Sequence, residues 1–261
     1  MTRERAARPL GVSGLQLTVI GPGPAYTRRA AASSCYLVEA DDAALVLDLG
    51  HGSFQALARR REPASVAAVA ISHLHPDHHI DLVPLRHYLM YAPHPVGQLE
   101  LHAPAGLRER YDALNGEPGF LDVFGVRPDL APGRRRVGPF ELTIERVTHT
   151  ASSFGFRVAR AGREGPGLIY SGDCGRPEDL LPLVLPGDSL LCEASWGSGP
   201  AVEEVEHMTA AQAGWAAREG GAARLVLTHV LDEFARGSLP AARREFRGPV
   251  GLARPGLTIA I

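Results

Sequence analysis

The segment Ser72-His73-Leu74-His75-Pro76-Asp77-His78-His79 follows directly on the apolar run Val66 to Ile71, and it constrains the fold more than any other stretch. Between positions 73 and 78 stand three histidines and an aspartate, a dense polar cluster at the end of a buried strand that needs a compensating partner. Alternation carries His73 and His75 to one side of an extended segment, while Asp77 and His78 can turn inward at the start of the next helix. Such a loop can feed two neighbouring metal ions. Imidazole nitrogen and carboxylate oxygen suit zinc, manganese or iron, and the lack of cysteine in the cluster argues against a purely structural zinc site.

One loop does not complete two coordination shells, so further ligands are expected at other strand ends. His149 follows the alternating run Leu142 to Val147, Asp173 stands in Tyr170-Ser171-Gly172-Asp173 after a buried run, and His229 closes Leu225-Val226-Leu227-Thr228-His229. Each shares the context of an apolar strand that ends in a ligand-type residue.

Other runs of strand length lie at Leu15 to Ile20, Cys35 to Glu39, Ala44 to Asp48, Leu99 to His102, Phe154 to Ala159, Leu168 to Ser171, Ser189 to Glu193 and Arg224 to Thr228. Helix-length segments separate several of them: Ile80 to Tyr91, Pro104 to Leu114, Pro177 to Leu185 and Thr209 to Gly220. The last carries the signals of a capped helix, with Thr209 at its start, Gln212 three positions on and Gly220-Gly221 as its stop. The class is mixed α/β, hairpin-rich in the first half, with a Pro/Gly/Arg-rich loop at Arg127 to Gly138 near the midpoint. A single domain over residues 11–261 behind a flexible arm of residues 1–10 is expected.

Composition narrows the function. The chain carries 27 Lys+Arg against 29 Asp+Glu, a net charge of −2, so no global basic field suits nucleic acid. The arginine clusters Arg59 to Arg61 and Arg134 to Arg136 read as solvated turns. Cys35, Cys174 and Cys192 are too scattered for a disulfide framework, which fits a reducing cytosol. No secretory signal or apolar run of membrane-spanning length is present, so a cytoplasmic protein without membrane partners is expected. All the basic residues are arginine, so any cationic substrate contact must come from arginine, histidine or metal.

The motif His73-x-His75-x-Asp77-His78, followed in order by His149, Asp173 and His229, resembles the metallo-β-lactamase superfamily of binuclear hydrolases. The resemblance spans Leu15 to about Val230. It implies a four-layer αββα sandwich with the metals at one edge of its two sheets. It also implies that His73, His75 and His149 hold one divalent ion, zinc or else manganese or iron, that Asp77, His78 and His229 hold the other, and that Asp173 bridges both.

Residues outside the ligands resemble the ribonuclease Z group: Leu190 to Ser195, His207-Met208-Thr209, Ile20-Gly21-Pro22-Gly23, Ser33-Ser34 and Asp48-x-Gly50. The resemblance assigns Glu193 and His207 as a pair relaying a proton near the leaving group. Two departures separate the chain from transfer-RNA processing. Asp81 stands where that group usually carries glycine, and the stretch from His149 to Asp173 leaves no room for a long RNA-gripping arm. The pattern His-Leu-His-x-Asp-His-x-x-Asp-Leu and the run Cys192-Glu193-Ala194-Ser195-Trp196 are similar instead to small phosphodiesterases acting on cyclic nucleotides or cyclic ribose phosphates.

The resulting expectation is a binuclear phosphodiesterase for a small phosphodiester substrate. Asp77 would be a ligand that also orients or accepts a proton from the attacking hydroxide, and Glu193 with His207 would protonate the leaving oxygen. The alternatives are a ribonuclease Z-like endoribonuclease on RNA, an ester or thioester hydrolase, and an inactive metal-stabilised regulatory domain. Asp81 is read either as orienting a ligand histidine or as a helix-surface carboxylate. Cys174, His51, His79, His87, His94 and His102 are assigned to packing or surface, and Tyr88-Leu89-Met90-Tyr91 is a possible homodimer face.

Overall fold

The computed structural model describes residues 14–91, 98–200 and 206–261. The expected N-terminal arm and His94 lie outside these residues. The strands are β1 (Gln16–Gly21), β2 (Cys35–Ala40), β3 (Ala43–Leu47), β4 (Ala68–Ala70), β5 (Glu100–His102), β6 (Gly125–Val126), β7 (Gly133–Val137), β8 (Phe140–Arg146), β9 (Phe154–Arg160), β10 (Leu168–Tyr170), β11 (Ser189–Glu193), β12 (Arg224–Thr228), β13 (Val250–Leu252) and β14 (Thr258–Ala260). They form two seven-stranded sheets, ordered β14-β1-β2-β3-β4-β5-β6 and β13-β12-β11-β10-β9-β8-β7.

Most strands are buried on both faces, which is why they read as near-continuous apolar runs. In β2, Tyr36 and Val38 face the space between the sheets, while Cys35 and Leu37 face outward. In β10, Tyr170 points inward to meet Phe156 and Leu191, and Ile169 points outward. The outward faces are covered by helices. On the first sheet lie α1 (Ser53–Ala58), a short turn at Pro76–His79 numbered α2, α3 (Leu82–Tyr91) and α4 (Leu107–Asn115). On the second lie α5 (Ala210–Glu219) and α6 (Ser238–Glu245). Three apolar layers thus separate four structural layers, the expected αββα sandwich.

The helix starting at Thr209 forms as its sequence signals: the Thr209 hydroxyl accepts from the Gln212 amide and Gln212 reaches back to the Thr209 amide. Three expectations are corrected. The segment Pro177 to Leu185 makes only a 3₁₀ turn at Pro177–Leu180. The Arg127 to Gly138 loop contains β7, an edge strand whose exposed arginines hide its strand pattern. The first half is hairpin-paired only through β3, because β4, β5 and β6 each add in parallel. No helix among the described residues is long and apolar enough to cross a membrane.

Candidate metal centre

The parallel strands β3, β4, β10, β11 and β12 point their carboxyl ends to one edge of the sandwich, where loops can converge on a ligand. Asp48 stands directly after β3, His73 to His79 follow β4, Asp173 follows β10, Glu193 ends β11 and His229 directly follows β12. His149 arrives on the turn between β8 and β9. All seven expected ligands meet at this edge.

Two groups of ligand atoms form, each with its members within 4.8 Å of one another: His73, His75, His149 and Asp173, then Asp77, His78, Asp173 and His229. Asp173 belongs to both. Its Oδ2 lies 3.3 Å from Nε2 of His78, 3.6 Å from that of His229, 3.7 Å from that of His73 and 3.8 Å from that of His149. Asp77 Oδ2 lies 3.3 Å from His78 Nε2 and 3.2 Å from His229 Nε2.

The outer nitrogens explain this convergence. His73 Nδ1 lies 3.1 Å from the Ser72 hydroxyl, whose own proton goes to Asp48, so the imidazole donates and its Nε2 is left with a lone pair. His78 Nδ1 donates to Asp48 Oδ2 at 2.7 Å, and His149 Nδ1 donates to the Glu206 carbonyl at 2.7 Å. Each outer bond selects the tautomer whose Nε2 can bind a metal. His73 Nε2, His78 Nε2 and Asp173 Oδ1 are buried yet lack hydrogen-bond partners. Buried polar atoms of this kind call for a partner, and a nitrogen and oxygen donor set without sulfur fits a divalent cation. The clustered residues form a divalent metal site.

The buried carboxylates and imidazoles also shift one another's charges. Burial raises the Asp173 and Asp77 carboxyls, but neighbouring imidazoles, led by His229, outweigh it and hold both well below the usual carboxylate range. Burial opposes charge on His78, and the Asp173 and Asp48 carboxylates overcome it, lifting its pKa well above the ordinary histidine value. Burial holds His73 and His149 down.

Beside this cluster lies a second device. His207 Nδ1 donates to Glu193 Oε1 at 3.0 Å and lies 4.0 Å from Asp173 Oδ2. Burial works against the His207 charge, and Glu193 reverses it, so its pKa rises to about 9. Glu193 is itself buried, with Oε1 accepting from the Cys174 amide at 3.1 Å and Oε2 from the Ser195 amide at 2.8 Å. His207 is half-buried and its ring sits 4.8 Å from that of His149.

The scaffold that aims these groups includes residues with no role assigned from the sequence. Asp48 is fully buried at φ 57 and His229 stands at φ 56, both in the left-handed region that non-glycine residues rarely adopt. Such strain persists where surrounding bonds over-determine it. The His229 amide donates to the Pro22 carbonyl at 3.1 Å, and Arg28 holds the next carbonyl, Val230, at 2.6 Å while pairing with Asp232. Gly50 is fixed by close approach, since a Cβ there would lie 1.7 Å from the Asp77 carbonyl oxygen.

Neither reading of Asp81 survives: its Oδ2 accepts from the Phe54 amide at 2.8 Å, capping the first turn of α1. Cys174 is packed and buried, as expected. His79 is buried against Tyr111, its Nδ1 2.9 Å from the phenol oxygen, while His87 is exposed and His51 partly so. Met90 and Tyr91 are exposed.

Comparison with known proteins follows the same lines. The family model described as Beta-lactamase superfamily domain matches residues 45–230. A Mycobacterium leprae protein, ML1173, is 33% identical over 95% of this chain and 89% of its own length. The crystal structure of the metallo-beta-lactamase fold protein YhfI from Bacillus subtilis superposes with a TM-score of 0.80 at 23% identity, over 94% of this chain and 99% of that one. Human tRNase Z, short form, superposes with a TM-score of 0.74 at 22% identity, again over 94% and 99%.

Proposed function

The chain belongs to the beta-lactamase superfamily as a metal-dependent hydrolase, and from this we propose that it is a binuclear phosphodiesterase acting on cyclic nucleotides or similar small phosphodiesters. His73, His75 and His149 would hold one ion, Asp77, His78 and His229 the other, and Asp173 both. Zinc fits these donors, as do manganese and iron. When bound, two such ions lower the pKa of water and neutralise phosphoryl oxygens during in-line displacement.

The chain's own residues supply the remainder. Asp77, placed against His229 at 3.2 Å, orients the attacking water through its ionised carboxylate. His207 has its Nδ1 engaged by Glu193 at 3.0 Å, which leaves Nε2 to deliver a proton to the departing ribose oxygen. General acid catalysis of this kind contributes about 10²- to 10⁴-fold. The Glu193–His207 pair beside the ligand cluster is the observation that carries the reading.

A ribonuclease Z-like activity is the second reading, favoured by the likeness to a tRNase Z fold. Against it, β9 and β10 are joined by residues 161–167 alone, and the Arg134 to Arg136 cluster sits on the outermost strand β7. The test is to present metal-loaded protein with bis(p-nitrophenyl) phosphate, cyclic AMP, a precursor transfer RNA and a β-lactam in parallel. Turnover of the small diesters is expected; hydrolysis of the lactam alone would sink the proposal, and selective cleavage of the RNA would favour the second reading.

A further inference from the structure

Ser195 joins the two devices of the site. Its side-chain oxygen lies 2.8 Å from His229 Nδ1, 3.1 Å from Glu193 Oε2 and 3.2 Å from His207 Nδ1, and the residue is 2% exposed. A serine hydroxyl has one proton to donate and two lone pairs with which to accept. Glu193 can only accept when ionised, so the Ser195 proton goes to Oε2. The oxygen then accepts from His229 Nδ1–H, and the His207 Nδ1–H divides between Glu193 Oε1 and Ser195.

The direction of this chain has a consequence for His229. An imidazole that donates through Nδ1 presents its Nε2 lone pair, and that Nε2 is the atom lying 3.2 Å from Asp77 and 3.6 Å from Asp173. The carboxylate at the far end strengthens the arrangement, since bonds that donate onward to an ionised group are stronger than neutral ones. His73 and His78 take their outer bonds from Ser72 and Asp48, whose side chains make no hydrogen bond to the Glu193–His207 pair, and His149 takes its own from the Glu206 carbonyl, the backbone group that precedes His207. The outer partner of His229 is a side chain that itself hydrogen-bonds the side chains of both Glu193 and His207.

Glu193, His207 and His229 also form a group near enough to hold a cation themselves. The Ser195 hydroxyl within hydrogen-bond reach of all three makes that group a hydrogen-bonded hub instead.

We propose that Ser195 is a positioning residue that fixes the metal-binding tautomer of His229 and couples the Asp77–His78–His229 ion site to the Glu193–His207 proton donor. The proposal rests on the binuclear reading above. It means that one carboxylate serves both functions, reaching His207 directly through Oε1 and His229 through the Ser195 hydroxyl.

The test compares wild-type protein with Ser195→Ala and Ser195→Thr in competition titrations with Zn2+, supported by Co2+ absorption spectra and melting of the metal-free proteins. Loss of an outer hydrogen bond typically costs 10- to 100-fold in metal affinity. Ser195→Ala is therefore expected to bind the first ion as wild type does and the second 10- to 100-fold more weakly, with an altered Co2+ spectrum. Ser195→Thr, which keeps the hydroxyl, is expected to recover most of that affinity. A folded Ser195→Ala protein with wild-type affinity for both ions and an unchanged Co2+ spectrum would overturn the proposal. So would a folded Ser195→Thr protein as weak as Ser195→Ala. A wild-type protein that takes up only one ion would overturn the binuclear reading itself, and this proposal with it.

Discussion

Asp48 Oδ2 accepts a hydrogen bond from His78 Nδ1 at 2.7 Å, which ties the end of β3 to the ligand loop that follows β4. The same fully buried carboxylate also accepts from the Ser72 amide at 2.6 Å, the Ser72 hydroxyl at 2.8 Å and the Tyr170 hydroxyl at 2.6 Å. Asp48→Ala would strand all of these donors without water. The expected loss is about 3 kcal/mol or more of stability, since each buried unsatisfied group costs about 1–3 kcal/mol. Denaturant unfolding of the metal-free variant measures it, and a Zn2+ titration should show affinity lower by about 10- to 100-fold.

Gly50 tests close packing separately from hydrogen bonding. A Cβ there meets the Asp77 carbonyl, and the Leu49 amide already donates to the His78 carbonyl at 2.7 Å, so the ligand loop has no room to retreat. Gly50→Ala should destabilise the protein by about 1–3 kcal/mol through overpacking and weaken Zn2+ binding at the proposed Asp77–His78–His229 site. Differential scanning calorimetry with and without Zn2+ checks both effects.

Metal removal should itself be visible in stability. An ion that binds the folded state alone adds about 4 kcal/mol at a thousandfold excess over its dissociation constant. Chelation should therefore lower Tm by roughly 10 °C for a chain of this size, and Zn2+ should restore it in a concentration-dependent way. An unchanged Tm would argue against occupied sites.

His102 offers a pH test remote from the ligands. It is buried in β5, and burial holds its pKa below the ordinary value against the opposing pull of Glu100, whose Oε2 lies 3.0 Å away. A depressed folded-state pKa means that the unfolded chain takes up the proton first. Its contribution is then complete above about pH 6.5 and is lost as pH falls below that value. Wild-type stability should fall more steeply than that of His102→Leu between neutral and mildly acidic pH, and parallel curves would refute the assignment.

Much of this molecule was legible in its sequence because buried parallel strands and their ligand-bearing ends leave strong local marks. The run Val66 to Ile71 and the histidines after it identified both a core strand and the site. Weakly marked elements were lost: β7 is written in exposed arginines, and α1 is too short to show a period. The roles of Asp48, Ser195 and Asp81 depend on contacts between distant segments. No spacing rule places the Asp81 carboxylate on the Phe54 amide, or the Ser195 hydroxyl between His229 and Glu193.

On the proposed mechanism His207, held by Glu193, protonates the leaving oxygen of a phosphodiester. The direct measurement is kcat/KM for metal-saturated wild type and His207→Ala across phosphodiesters whose leaving groups span nitrophenol to an alkyl alcohol. Near-equal rates are expected for nitrophenol, which departs without a proton, and a deficit growing to about 10²- to 10⁴-fold for the alcohol. Equal rates across the whole series, with both ions retained, would contradict it.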